Sequence, residues 1–163
     1  MYKGISVPPK KGVESDKLTR PTSVIPQYNS PDWVRDAVIY QINTRVFTHE
    51  GTFQAVESHL QRIKNLGVDV LWLMPIFPIS EKNRKTEPEN TREAFGSPYA
   101  ASDFLKIHPA FGDENDLHYL VKSIHNLGMK VVLDFVPNHT GWDGDWIENH
   151  PNWFLQKDGV IQP

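Results

Sequence analysis

A four-part pattern occurs twice in this chain: an amphipathic stretch, a glycine, an apolar run and a proline. Asn65-Leu66-Gly67 leads into Val68-Asp69-Val70-Leu71-Trp72-Leu73-Met74, closed by Pro75. Asn126-Leu127-Gly128 leads into Met129, Val131, Val132 and Leu133, and that segment closes at Pro137. Glycine stops a helix because it takes left-handed backbone without a Cβ penalty. A continuous apolar run between such breakers reads as a strand buried on both faces. A β-rich run, Val38-Ile39-Tyr40-Gln41-Ile42-Asn43, stands ahead of the first unit. The order is therefore strand, helix, strand, helix, strand, which predicts parallel pairing through right-handed crossovers.

The helices carry their own signals. Thr52 is placed to cap a first helix whose inward face is Phe53, Val56, Leu60, Ile63 and Leu66. Asp113 is placed to cap a second, with Leu117, Leu120, Val121, Ile124 and Leu127 inward. Two architectures use such units: an open doubly wound sheet and a closed (β/α)8 barrel. No Gly-x-Gly-x-x-Gly follows a strand and no Gly-x-x-x-x-Gly-Lys is present, which weakens the nucleotide-binding sheet. The long connections after the second and third strands favour a barrel, whose site is built from such loops. A whole barrel takes about 250 residues. With 163 residues, the expected fold is an α/β, incomplete (β/α)8 TIM barrel holding its first three strands.

Composition narrows the function. A formal net charge of -3 offers no electrostatic case for nucleic acid or an anionic membrane surface. The absence of cysteine removes disulfides and thiolate metal sites. No run reaches the ~18 apolar residues of a membrane span, and residues 1–20 lack a signal-peptide core, so a cytoplasmic location is expected. His118 and His125 fall on the outer side of the second helix without a His-Glu-x-x-His pattern, which argues against zinc.

Three places hold residues suited to chemistry. Asp134, Asn138 and His139 fall at or just past the carboxyl end of the third strand, where α/β folds bind ligands. Asp134 reads equally well as a structural carboxylate accepting hydrogen bonds. In the loop after the second strand, residues 80–92 read as a solvated excursion, whereas Gly96-Ser97-Pro98 forms a turn that presents Tyr99. Tyr99 is either a cover for the core or a stacking platform for the apolar face of a sugar. After the third strand, Trp142, Trp146, Trp153 and Phe154 stand among Asp143, Asp145, Glu148 and His150. Aromatics beside carboxylates suit carbohydrate recognition. For Trp153 and Phe154, the core of an inserted subdomain is the favoured reading. Asn138-His139-Thr140 matches a glycosylation sequon, but strand-end burial argues against its use.

Together these residues resemble the alpha-amylase family, glycoside hydrolase family 13, over roughly residues 33–163. Asp36-Ala37-Val38-Ile39-Tyr40-Gln41-Ile42 resembles its first barrel strand, and Leu66 to Pro75 its second strand with the preceding helix stop. Gly96-Ser97-Pro98-Tyr99 with Asp103 resembles the loop after strand two. Asp134-Phe135-Val136-Pro137-Asn138-His139 resembles the conserved block at strand three, with Pro137 where many members have alanine. His150-Pro151-Asn152-Trp153-Phe154 resembles the start of the inserted domain B.

Residues 1–31, with five prolines and no sustained periodicity, read as an extended leader; the resemblance implies 32–140 as the first three β/α units and 141–163 as the cut-off start of domain B. It implies that Tyr99 stacks on the sugar at the cleavage subsite, that His139 bonds a hydroxyl of the same sugar, and that Asp134 and Asp103 support the site. Asn138 matches a position that ligates calcium in calcium-dependent members, so calcium is the one cofactor expected. The implied activity is retaining cleavage or transfer on an alpha-glucan or maltooligosaccharide, using two carboxyl groups about 5 Å apart. In the family these lie on later strands; none is expected here, so the isolated chain should be an inactive N-terminal fragment. The alternatives are a non-catalytic carbohydrate-binding protein and an unrelated three-stranded α/β module.

Overall fold

The computed structural model describes residues 29–84 and 96–162. Nearly all of the expected leader, and residues 85–95 of the long connection, lie outside the described residues.

Three parallel strands form the centre: β1 (Ile39–Ile42), β2 (Val70–Leu73) and β3 (Lys130–Leu133), in the order β1-β2-β3. Ile39, Val70 and Lys130 lie side by side at one end, and Ile42, Leu73 and Leu133 at the other. The parallel order follows the sequence pattern, but the strands are shorter than the apolar runs. The third was expected over residues 129–136 and pairs only over Lys130–Leu133, because Asp134 N donates to Leu73 O and β2 then leaves the ladder at Pro75.

Short helices cover one face. After β1 come α1 (Thr44–Phe47), α2 (Phe53–Glu57) and α3 (Leu60–Asn65). The single helix expected over residues 53–66 is thus two. The ladder breaks where Ser58 Oγ donates to Ala55 O and His59 N makes a tighter bond to Val56 O. The 3,4,3 spacing survives the break, so Phe53, Val56, Leu60 and Ile63 all reach the core. Leu66 does not: it is 61% exposed, because Gly67, at φ +83°, turns the chain toward β2 before Leu66 can fold inward. The Thr52 cap is present, its hydroxyl accepting from Ala55 N.

Helix α4 (Glu114–Asn126) is the longest, and its start is doubly capped. Asp113 accepts from Asn115 N and Asp116 N while Asp116 accepts from Asp113 N. Leu120 and Ile124 are buried against β2, β3 and α2; His118 and His125 are exposed. Gly128, at φ +72°, ends the second unit as Gly67 ends the first. After β3 the chain forms α5 (Asp145–Asn149) and a hairpin of β4 (Gln156–Lys157) with β5 (Val160–Ile161). Asp158 and Gly159 both have positive φ, the backbone of a tight Asp-Gly hairpin turn.

One expectation is corrected: the strands are not covered on both faces. Tyr40, Ile42, Leu71, Leu73 and Val131 pack under the helices. On the opposite face Ile39 is 56% exposed, Trp72 36% and Val132 43%. Helices α2, α3 and α4 pack on the first side, and on the other only Val70, 3% exposed, is buried among the apolar residues of the three strands.

Candidate functional site

The carboxyl ends of β2 and β3 carry long loops, and these loops are sewn together by main-chain hydrogen bonds. The strand-two loop doubles back on itself through a bridge between Ile79 and Ala101, with Ser80 N donating to Ala100 O and Ser102 N to Pro78 O. The chain leaving β3 joins as a third line: Gly141 N donates to Ala101 O and Asp145 N to Ser102 O. Thr140 Oγ1 donates to Ala101 O as well. Gly141 is required by this close approach, since a Cβ there would overlap the Ser80 side chain. In the described part of the expected solvated excursion Glu81, Lys82 and Asn83 are exposed, while Ser80 is buried in this seam.

The seam holds Tyr99 and His139 in contact. Tyr99 N donates to Ser97 Oγ, the Gly-Ser-Pro turn that presents the ring. Its hydroxyl donates to Asp134 Oδ2 at 3.1 Å. Burial of the phenol, followed by the Asp134 bond and charge, raises the Tyr99 pKa above its ordinary value, so the phenol stays protonated and donating. His139 Nε2 lies 3.1 Å from the Tyr99 carbonyl oxygen, and its Nδ1 lies 3.2 Å from Asn138 Nδ2. A carbonyl only accepts, so Nε2 carries the proton; Nδ1 then accepts from the Asn138 amide.

Four of the five expected site residues therefore meet: Tyr99, Asp134, Asn138 and His139. The fifth, Asp103, turns to its own loop. It pairs with Lys106 Nζ at 2.8 Å and accepts from Leu105 N. The hydrogen bond from Lys106 is the main reason its carboxyl is held below the usual range.

Two features were not anticipated. Asp143 Oδ2 accepts from Glu81 N at 2.8 Å and Lys82 N at 2.9 Å. Partners about 60 positions away leave no local signal in the sequence. A chain of aromatic rings also runs beside the site: Phe77 and Phe135 edge onto Phe104, which stacks on Trp146 at 5.0 Å. Trp146 edges onto Trp153, whose other neighbour, His150, stacks at 4.0 Å. This chain of rings borders a cavity of about 530 Å³ reached by His139, Trp142 and Phe154. Its aromatic spacing resembled a subdomain core in the sequence; Trp153 is exposed here and Phe154 half-buried.

Calcium requires roughly six to eight oxygen ligands. Among the described residues no group of three His, Cys, Asp or Glu is gathered that could hold a metal ion. Asn138 offers one amide oxygen at an exposed position. The described residues do not complete a calcium shell.

Comparison with known proteins gives a consistent result. The family model of the alpha-amylase catalytic domain matches residues 13–159. An alpha-glucosidase of Apis mellifera is 32% identical over 77% of this chain and 22% of its own. A probable oligo-1,6-glucosidase of Bacillus subtilis is 34% identical over 72% of this chain and 19% of its own. The crystal structure of an alpha-amylase from Lactobacillus plantarum superposes with a TM-score of 0.71 at 43% identity, covering 78% of this chain and 29% of that one. The chain thus spans about a fifth of the length of the curated relatives it matches.

Proposed function

The chain belongs to the alpha-amylase family, glycoside hydrolase family 13, and from that premise we propose that it supplies the sugar-gripping rim of an enzyme acting on α-linked gluco-oligosaccharides. The single observation that carries this reading is the joined trio at the carboxyl end of the sheet: Tyr99 bonded to Asp134, and His139 bonded to the Tyr99 carbonyl. In barrels of this type the loops at that end form the active site.

Each residue has a task in this reading. Asp134 holds the Tyr99 hydroxyl and so sets the plane of the ring, whose face receives the C–H side of a pyranose. His139 meets a sugar hydroxyl at Nδ1 in exchange for the Asn138 amide, while Nε2–H stays on the Tyr99 carbonyl. The loop bonds of Asp103 keep the Ser102 end of the seam in shape.

Retaining cleavage needs a nucleophilic carboxylate and a proton donor about 5 Å apart. Asp134 already accepts from Tyr99, so it serves the rim rather than the attack. We assign the reacting pair to later strands of the family's barrel, outside this sequence, and residues 141–163 to the beginning of domain B. The sequence resemblance at residues 150–154 and the 29% share of the Lactobacillus enzyme support that assignment.

Calorimetric titration of the purified chain with maltotriose tests the rim. Saturable binding is expected, weakened at least about tenfold, or about 1.4 kcal/mol, in Tyr99→Ala. Binding that is absent, or indifferent to Tyr99→Ala, overturns the reading. Release of glucose from maltotriose by the chain alone overturns the placement of the reacting pair.

A further inference from the structure

We propose that Asp143 is a positioning residue for the sugar-binding rim: it staples the strand-two loop to the strand-three loop and thereby holds Tyr99 against Asp134 and His139. The inference rests on the reading of Tyr99 and His139 as the rim, and adds the residue that keeps them in register.

The seam has three lines, and its hydrogen bonds are unevenly distributed. Residues 100–102 are gripped from both sides, by Pro78 and Ser80 on one and by Thr140, Gly141 and Asp145 on the other. Lines one and three touch each other differently. Gly141 packs on the Ser80 side chain, and two residues further on Asp143 reaches back to the amides of Glu81 and Lys82. These two bonds are charge-assisted, converge on one oxygen, and come from successive residues of a turn, an arrangement that favours a carboxylate over a neutral group. Burial alone would raise the Asp143 pKa; the hydrogen bonds from Ser80, Lys82 and Glu81 outweigh it and hold the carboxyl below its ordinary value, so the staple is charged at neutral pH.

The rim residues flank this seam directly. Tyr99 precedes Ala100, whose carbonyl accepts from the Ser80 amide, and His139 precedes Thr140, whose hydroxyl donates to the Ala101 carbonyl. Rotation of the third line about Gly141 carries His139 with it. Release of the first line moves Ser80 off Ala100 and frees Tyr99 to leave Asp134. Asp145, nearby in sequence, enters the seam through its backbone N–H, so its side chain provides a matched control.

The test follows the titration of the Tyr99 phenol in the full chain, read from its ring ¹³Cζ signal with Tyr99 assigned by Tyr99→Phe, together with far-UV dichroism and maltotriose affinity. Asp143→Ala is expected to bring the Tyr99 titration down toward that of an ordinary tyrosine and to weaken maltotriose binding at least about fivefold, with unchanged dichroism. Asp143→Asn, which keeps an accepting oxygen without charge, should fall between the two, and Asp145→Asn should match the parent chain. If Asp143→Ala fails to fold, the intermediate position of Asp143→Asn carries the test. A Tyr99 titration unmoved in folded Asp143→Ala or Asp143→Asn overturns the proposal. A moved titration with no maltotriose binding by any chain, parent included, upholds the staple and defeats the sugar-binding reading instead.

Discussion

Both faces of the central sheet are mainly apolar, Gln41 and Lys130 being the polar residues of the second, yet their surroundings differ. Under the helices, Leu71, Phe53 and Ile124 are fully buried. On the other face Ile39, Trp72 and Val132 stand open to solvent among the described residues. Parallel sheets occur almost only with both faces covered. The strands are therefore written for two-sided burial, and most of the buried apolar side chains of the described residues lie on the covered face. The bare face is the side that the interior of a barrel would occupy.

Substitutions can break that contrast, beginning where the effect is largest. Leu71→Ala and Phe53→Ala should each lose about 3–5 kcal/mol in urea melts, through lost burial and the cavity left behind. Val132→Ala on the bare face should change stability by less than about 1 kcal/mol, since its side chain already meets water. Equal losses on the two faces would refute the asymmetry. Next in size, Asp113→Ala should lower stability by about 1 kcal/mol through the reciprocal cap of α4. Trp72→Lys should leave the melt little changed while reducing self-association in sedimentation, because an open apolar face and an unpaired strand edge invite pairing between copies.

Acid should lower stability at both sites, in two separate pH windows. His108 is held below its ordinary pKa by burial and then by the charges of Arg45 and Arg84. The unfolded chain therefore takes up that proton first, and stability starts to fall as pH drops below about 6.5. Asp103 and Asp143 are held low by hydrogen bonding, so their contribution is present above the ordinary carboxylate range and is lost as pH falls through their folded values. Urea melts of the parent and of His108→Gln, taken down the pH scale, should show the substitution removing only the first decline.

The sequence pattern predicted what depends on local rules. Strand order, the caps at Thr52 and Asp113, and the stops at Gly67 and Gly128 follow from periodicity and backbone preference, and each is present. What was misread depends on bonds that periodicity does not show, one of them local and the other far along the chain. The kink at Ser58 needs a side-chain bond that competes with the helix ladder. The burial of Ser80 comes with Gly141, and the bonds of the exposed Glu81 and Lys82 with Asp143, some 60 residues further on. The site divides the same way. Asn138 and His139 stand out by type and by place just past a strand end, and Tyr99 by its Gly-Ser-Pro turn, while the seam that brings them together is mostly main-chain bonding between distant residues. Asp103 matched a family position, yet its bonds remain within its own turn.

The central claim is that Tyr99 and His139 together receive one sugar ring. Nuclear Overhauser contacts in the chain saturated with maltotriose test it most directly. The account predicts cross-peaks from the Tyr99 ring protons to pyranose C–H protons, with the His139 ring reporting on the same sugar. Cross-peaks confined to Trp142, Trp146 and Trp153, with Tyr99 and His139 silent, would contradict it.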